Sequence, residues 1–440
     1  MRQRMWLLFR TLLIVAPLTA QAQTESSALE DEDRQRQAEA FVMPEGITAA
    51  PPFTVTGYID VGFARAGGDG TSFAPGDPRP EPDYHTDPFA PAVNSRGDVA
   101  SIDSGGKELS GFLPRSVNTG GHGSFLLNTL DLDLRYQAPH APVMAFSRVQ
   151  LLPRWGGDGR GNQTTLLVEQ AFGRVAPLEG RELFLSLGKF DSVLGIEYLD
   201  NQANFRTGIT PSLVARYTTG TALGAKLFYR QQLPALWSAL SLNAAATNAS
   251  NFVEALHPPD ASLTGVPTLS ARIGYELNLP RVQIKLGASG LHGPRNDAHD
   301  FNAYLQMFVL DARLAVGGLS LAGEYVDVKE EEGAGMKQTG MGAFDEAAEF
   351  NAQGAWIQAA WAFHLELHSL RAITLYSRLE RRHAWFEALP PITVGRLTAG
   401  ARLDLWDCLL LKGEVLINRE LDGAPGVVND VVTFSAVYSW

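Results

Sequence analysis

Val432-Thr433-Phe434-Ser435-Ala436-Val437-Tyr438-Ser439-Trp440 closes the sequence, and its two faces differ. Val432, Phe434, Ala436, Tyr438 and Trp440 fall on one side of an extended chain, with Thr433, Ser435, Val437 and Ser439 on the other. A period of two is the mark of a strand with one apolar and one polar face. Working back from this stretch, the device recurs. Leu397, Ala399, Ala401, Leu403 and Leu405 oppose Arg396, Thr398, Arg402 and Asp404. Leu269, Ala271, Ile273, Tyr275 and Leu277 oppose Ser270, Arg272, Glu276 and Asn278. Leu130, Leu132, Leu134 and Tyr136 oppose Thr129, Asp131, Asp133 and Arg135. Strands of a soluble sandwich average roughly five or six residues. These are longer, near the ~9–11 residues that a tilted strand needs to cross a bilayer. Backbone in lipid must satisfy its own hydrogen bonds, so many such strands must close on one another.

The connections give an independent reading. Short links lie near 137–141, 177–181, 232–237, 279–281, 315–318, 365–370 and 405–408. Long ones lie near 65–124, 153–163, 191–217, 248–266, 292–300, 329–352, 383–393 and 419–429. They interleave strictly, as periplasmic turns and external loops do in outer-membrane barrels. Seven turns and eight loops predict an all-β fold: a transmembrane antiparallel β-barrel of sixteen strands over 53–440, with eighteen as the alternative. Ser212 to Tyr217 is alternating enough to be a separate strand, but the loop rhythm assigns it to the preceding connection. The 65–124 connection is rich in Gly, Pro and Asp and reads as a large, irregular loop.

The rest of the chain is consistent with export. Arg2, Arg4 and Arg10, an apolar run from Leu12 to Leu18 and Ala20-Gln21-Ala22 predict a cleaved signal peptide over 1–22. Residues 23–52, polar and acidic around Glu30-Asp31-Glu32-Asp33, read as a periplasmic lead-in. The lone Cys408 offers no intramolecular disulfide. A formal net charge of −12 argues against nucleic acid as a partner.

If the apolar faces meet lipid, the polar faces line the interior. Asp131, Asp133, Arg135, Arg148, Glu169, Lys226, Arg230, Arg272, Lys285, Arg378, Arg396 and Arg402 are the expected pore wall, joined by Asp60, Glu324, Glu380, Lys412 and Glu414. A charge on the lipid face costs about 2–4 kcal/mol near the midplane, which is why these residues belong inside. A barrel this wide is not filled by side chains alone. Tyr136, Trp361, Phe363, Tyr438 and Trp440 sit at strand ends, where an aromatic girdle belongs.

One segment is distinctive. It reads Gly188-Lys189-Phe190-Asp191-Ser192-Val193-Leu194-Gly195-Ile196-Glu197, continues through an Asn-bearing loop, and meets the next strand at Thr219-Gly220. In this Gly-x-Phe, Gly-x-Glu and Thr-Gly pattern, and in its alternating strands and final aromatic, the chain resembles the porin superfamily of Gram-negative outer membranes. More particularly, it looks like the OmpL-like β-barrel porins. Leu194 stands where that family usually has proline. The resemblance implies that the loop after the fifth strand folds into the lumen. Asp191, Glu197, Asp200, Asn201, Asn204 and Arg206 would then lie at the constriction. Arg135, Arg148, Lys226 and Arg230 on the opposing wall would set a field across it. It also implies a homotrimer, passive diffusion of small hydrophilic solutes or ions, and no cofactor or catalysis. Phe434, Tyr438 and Trp440 resemble the terminal signal read by the outer-membrane assembly machinery.

Two rival functions fit parts of the same pattern. A lipid hydrolase on the barrel wall needs a Ser and a His projecting together, yet most of the nine histidines fall in predicted loops or turns. A surface-binding or structural barrel would be plugged by its own loops. Weaker signals are a metal site at His364 and His368, and Ca²⁺ binding by Asp69, Asp77, Asp83, Asp87, Asp98 and Asp103 in the first loop.

Overall fold

The computed structural model describes residues 52–66, 100–102, 108–112, 123–139, 141–152, 165–178, 180–200, 202–233, 236–248, 266–294, 304–331, 349–365, 367, 369–386, 391–422 and 430–440. The expected signal peptide and lead-in, the first-loop aspartates and His368 lie outside these residues.

The strands are β1 (Phe53–Ala66), β2 (Ala100–Ile102), β3 (Glu108–Phe112), β4 (Gly123–Gln137), β5 (Val143–Leu152), β6 (Thr165–Val175), β7 (Glu182–Asp191), β8 (Thr221–Leu233) and β9 (Ser238–Thr247). They continue as β10 (Thr268–Leu279), β11 (Val282–Pro294), β12 (Tyr304–Val316), β13 (Leu319–Glu330), β14 (Phe350–His364), β15 (Leu370–Phe386), β16 (Ile392–Leu405), β17 (Leu409–Asp422) and β18 (Val431–Ser439). β1 and β4 to β18 form one closed antiparallel barrel, sixteen strands in sequence order. The strand count and the alternation of short and long connections match the sequence reading. Ser212 to Tyr217 belongs to a loop, with one helical turn at Ala215–Thr218. The first long loop is not wholly irregular, because β2 and β3 pair within it as a small separate sheet.

Burial runs opposite to that of a water-soluble protein. On β18 Phe434 and Tyr438 are about half exposed on the outside, while Thr433, Ser435 and Val437 are buried inside. On β7 Leu185 and Leu187 face out, while Phe184 and Ser186 face in. Tyr136, Trp361, Phe363, Tyr438 and Trp440 are all exposed outward near the short-turn end. Leaving such a surface in water would forfeit about 25 cal/mol for each Å² of apolar area. A hydrocarbon environment removes that cost, and closing the ring leaves no strand edge.

The seam of the ring lies between the first and last barrel strands. β1 pairs β18 from Tyr58↔Ser439 to Ala66↔Val431. Gly57 and Trp440 exchange two backbone hydrogen bonds, of 3.2 and 3.1 Å. Two β-bulges aim polar side chains inward. Asn128 is the extra residue on β4 opposite Asp60/Val61, and its amide donates to Asp60 at 3.1 Å. Glu169 is the extra residue on β6 opposite Arg148/Val149. A bulge leaves one residue outside the ladder and re-aims it.

Candidate functional site: the lumen loop and its wall

Between β7 and β8, residues 192–220 turn into the barrel. The neck is closed by a backbone hydrogen bond from Ser192 N to Gly220 O, 3.0 Å. Gly220 has φ +118°, a conformation that a side chain would strain. A short 3₁₀ turn, Glu197–Asp200, and the helical turn Ala215–Thr218 are its regular elements. Leu194, Ile196, Val214 and Tyr217 are buried against Met307, Val309, Val326, Val328 and Trp356 of β12 to β14. That part of the wall is apolar on both faces. On β12 Met307 and Val309 point in, while Phe308 and Leu310 point out. Gly354 on β14 makes room for the loop, since a Cβ there would sit 2.3 Å from Val214.

With so little regular structure, the loop has many backbone groups to satisfy, and a buried unpaired one is costly. Charged wall residues satisfy them. Glu324 on β13 accepts from Ile196 N at 2.7 Å. Glu414 on β17 accepts from Ile209 N and Thr210 N at 2.8 and 2.9 Å. Glu380 on β15 accepts from Leu213 N at 2.7 Å. Wall cations take the carbonyls. Lys412 Nζ donates to Ala203 O, Arg206 O and Gly208 O. Arg378 donates to Thr210 O and Pro211 O at 2.7 and 2.9 Å, and Arg396 also reaches Pro211 O. Within the loop, Glu197 accepts from Ser212 N at 2.6 Å. Two glycines mark close contacts: a Cβ on Gly195 would meet Glu324, and one on Gly208 would meet Glu414.

The loop reaches widely. In the ring order, β15 stands eight strands from β7 in either direction. The loop therefore leaves one wall, is tied to the diametrically opposite one, and returns to β8. On the way Gly195 N donates to Ser289 of β11, and Asp200 pairs with Arg313 of β12 at 2.5 Å. Ala203 N meets the Tyr58 hydroxyl of β1, and Arg402 of β16 reaches Phe205 O, both at 3.4 Å. Gln202, with its amide oxygen turned to the guanidinium, accepts from Arg148 of β5.

Beside the loop's root, Arg148 is the centre of a second arrangement. It donates to Asp133 at 2.7 and 3.0 Å, and its Nη1 lies 3.7 Å from Glu169. Gln170 donates to Asp191 at 2.7 Å. Towards the short-turn end of the same wall, Phe146, Phe172, Phe184 and Phe228 face inward on four adjacent strands. Arg174 lies over Phe172 and Phe184, with its carbon 5.0 and 5.9 Å from the ring centroids. Further round, Arg230 pairs with Glu182 and Glu276, and Arg272 with Asp311.

Asp131, Asp133, Arg135, Arg148, Glu169, Lys226, Arg230, Arg272, Lys285, Arg378, Arg396 and Arg402 lie on the inner side of their strands. Their grouping differs from the expected one. Arg135, Arg148, Lys226 and Arg230 stand on β4, β5 and β8, flanking the loop's root rather than opposing it. The opposing cations are Arg378, Arg382 and Arg396, and the loop covers them. Of the expected constriction residues, Glu197, Asp200, Asn204 and Arg206 are in the loop, Asp191 ends β7, and Asn201 lies outside the described residues. The lumen-facing phenylalanines and the apolar wall of β12 to β14 were not anticipated. The signal for the latter was present: Met307-Phe308-Val309-Leu310 breaks the alternation.

Fold and site together define a closed sixteen-strand barrel whose lumen is crossed by its own loop. No protein-family model matches the chain, and no curated protein sequence matches it. Solved structures similar to it include OmpT of Vibrio cholerae (8% identity, 90% of this chain and 100% of that chain, TM-score 0.49). The outer membrane channel DcaP of Acinetobacter baumannii is similar at 12% identity, over 88% of this chain and 97% of that chain, with TM-score 0.48. An anion-selective porin from Comamonas acidovorans is similar at 12% identity, over 88% and 99%, with TM-score 0.47.

Proposed function

We propose that the protein is an outer-membrane porin, a channel for small hydrophilic solutes or ions narrowed by the loop between β7 and β8. The observation that carries this reading is a lumen face of partly exposed, paired charges: Asp133, Glu169, Arg230 and Arg313 each show 13–18% of their side chains to water. A sixteen-strand wall is wide enough to hold an aqueous path, and fixed charges beside a narrow point act on passing ions. Export through a cleaved signal peptide, recognition of the C-terminal aromatics by the assembly machinery, and trimerisation in the membrane belong to the same reading.

A plugged barrel is the second reading. It is favoured by the loop's contacts on β1, β5, β11 to β13 and β15 to β17, which run round much of the wall. Bilayer recordings separate the two. A variant replacing 194–218 by a short Gly-Ser turn keeps the neck bond and the barrel. A porin gives small current steps that enlarge in the variant. Steps in the variant alone identify a plug, and steps in neither end the channel reading.

A further inference from the structure

We infer that the periplasmic mouth of the lumen binds neutral sugars, with a pyranose ring lying on Phe228 and its hydroxyls on Glu182, Arg230 and Gln232. This rests on the channel reading above and names its solute class.

The platform is built from two ring pairs on the inner face. Phe228 of β8 stacks on Phe184 of β7, with centroids 5.8 Å apart and planes 17° from parallel. Phe146 and Phe172 form the second pair, 5.4 Å apart on β5 and β6. Arg174 lies between the pairs, over Phe172 and Phe184, and donates to Ser186 at 3.0 Å. Phe146, Phe172 and Phe184 are buried, whereas Phe228 is only half-buried. An aromatic face left against lumen water costs about 25 cal/mol for each Å². A pyranose covers such a face well, because its C–H groups are drawn to the negative quadrupole of the ring.

One inward row nearer the periplasm, about 6.6 Å along the strands, lie groups that suit hydroxyls. Glu182 of β7 is in register with Arg230 of β8. It accepts from Arg230 Nη1 at 3.2 and 3.3 Å and from Gln232 Nε2 at 3.3 Å. Arg230 Nη2 donates to Glu276 of β10 at 2.6 Å. The Glu182 side chain is still 43% exposed and that of Arg230 17%. Gln232 is exposed and keeps one amide hydrogen and its oxygen. Where acceptors and donors alternate like this, an ion attracted by one group is repelled by the next. A hydroxyl both donates and accepts, so it serves both, and a charged partner makes each bond stronger than a neutral one.

The charge balance around the platform favours a neutral solute. Arg230 and Lys285 stand against Glu182 and Glu276, and Arg272 against Asp311. Two further cations, Arg174 and Lys226, are buried over aromatic rings, Lys226 on that of Phe190. Arg181, in the adjoining turn, reaches Gln231 on the outer side of β8. The competing solute is an aromatic anion, whose ring fits Phe228 and whose carboxylate fits Arg230. It would meet Glu182 and Glu276 at the same guanidinium, whereas a sugar gains from all three.

The test is interruption of single-channel KCl current by cellobiose, with sorbitol as a polyol that lacks the ring and benzoate as the aromatic anion. Phe228→Leu keeps an apolar side chain but removes the flat face. Gln232→Leu, at an exposed position, is the second variant, and heat-modifiable gel migration verifies folding of each. The expected result is brief interruptions that become more frequent with cellobiose concentration and are absent with sorbitol. Binding should be roughly tenfold weaker in Phe228→Leu and severalfold weaker in Gln232→Leu. No interruption by cellobiose, or equal interruption by sorbitol, overturns the inference while leaving the channel reading intact. So does cellobiose binding unchanged in Phe228→Leu, or in Gln232→Leu where Phe228→Leu does not fold. Stronger interruption by benzoate than by cellobiose gives the site to aromatic anions and overturns the sugar assignment. Absence of current from every protein removes the channel reading, and the sugar site with it.

Discussion

The Glu380 carboxylate accepts the Leu213 N–H at 2.7 Å across the full width of the barrel, on the strand opposite the one from which the loop departs. The same carboxylate receives Arg378 and Arg396, each Nε at 2.9 Å. One side chain thus holds the loop's far point and balances two buried guanidiniums. Removing one member of such a group typically costs about 3–5 kcal/mol, because the remaining charges stay buried. Glu380→Ala is expected to lower the unfolding free energy, measured by urea titration in lipid vesicles, by that amount and to give a larger, noisier current. Wild-type stability and current in this variant would show that the clasp is idle.

Lys412 holds the loop by a different means, with its ammonium donating to three backbone carbonyls. Lys412→Met leaves those carbonyls without that donor, at about 1–3 kcal/mol for each group left unsatisfied. The segment near 203–208 should then detach while the wall stays formed. In a Cys408→Ala background, a cysteine at Ala203 should react with a small thiol reagent faster when Lys412 is replaced. Equal labelling rates would mean that the ammonium does not fasten this segment.

Gly195 and Gly180 separate backbone strain from contact with the wall. Both have positive φ, +64° and +71°. Gly180 has open space at its Cβ position, whereas a Cβ on Gly195 would collide with Glu324 Oε2. Alanine at either costs about 1–2 kcal/mol for the left-handed backbone. Gly195→Ala should cost a further ~1–3 kcal/mol by displacing a charged acceptor from Ile196 N. Equal losses for the two variants in urea unfolding would place the Glu324 contact outside the energetics of the loop.

Ile273, in the middle of β10, is 63% exposed on the apolar outer face. Arginine there should destabilise the barrel by about 2–4 kcal/mol in a bilayer. Asn243 faces inward in the neighbouring strand, and Asn243→Gln should change stability little. Measured in vesicles, an Ile273→Arg barrel as stable as the wild type would refute the lipid-facing assignment of this surface.

The barrel was legible because its signal is repeated. Most strands, Leu269–Leu279 among them, carry the same two-residue period, and the connections repeat a short-long rhythm. The inward loop was expected through its resemblance to porins, but its partners were not. Glu324, Glu380, Glu414 and Lys412 read simply as lumen charges, because nothing local distinguishes a side chain that meets water from one that meets a carbonyl many strands away. Placing Arg148 on the opposing wall failed for a related reason. Residue alternation fixes which face a side chain occupies, whereas its angular position depends on ring closure and strand order. The inward phenylalanines were hidden by their register: Phe146 and Phe172 are separated by 26 positions yet face one another across β5 and β6.

The paired bonds between Gly57 and Trp440 have a consequence for how the molecule is made. Because the two strands that meet there are the first and the last of the ring, no partial chain can complete the circle. Every intermediate in which β18 is still unplaced exposes two raw margins, each able to zip onto a stranger. Closure of this ring therefore rests on one latch between its first and last strands rather than on gradual accretion.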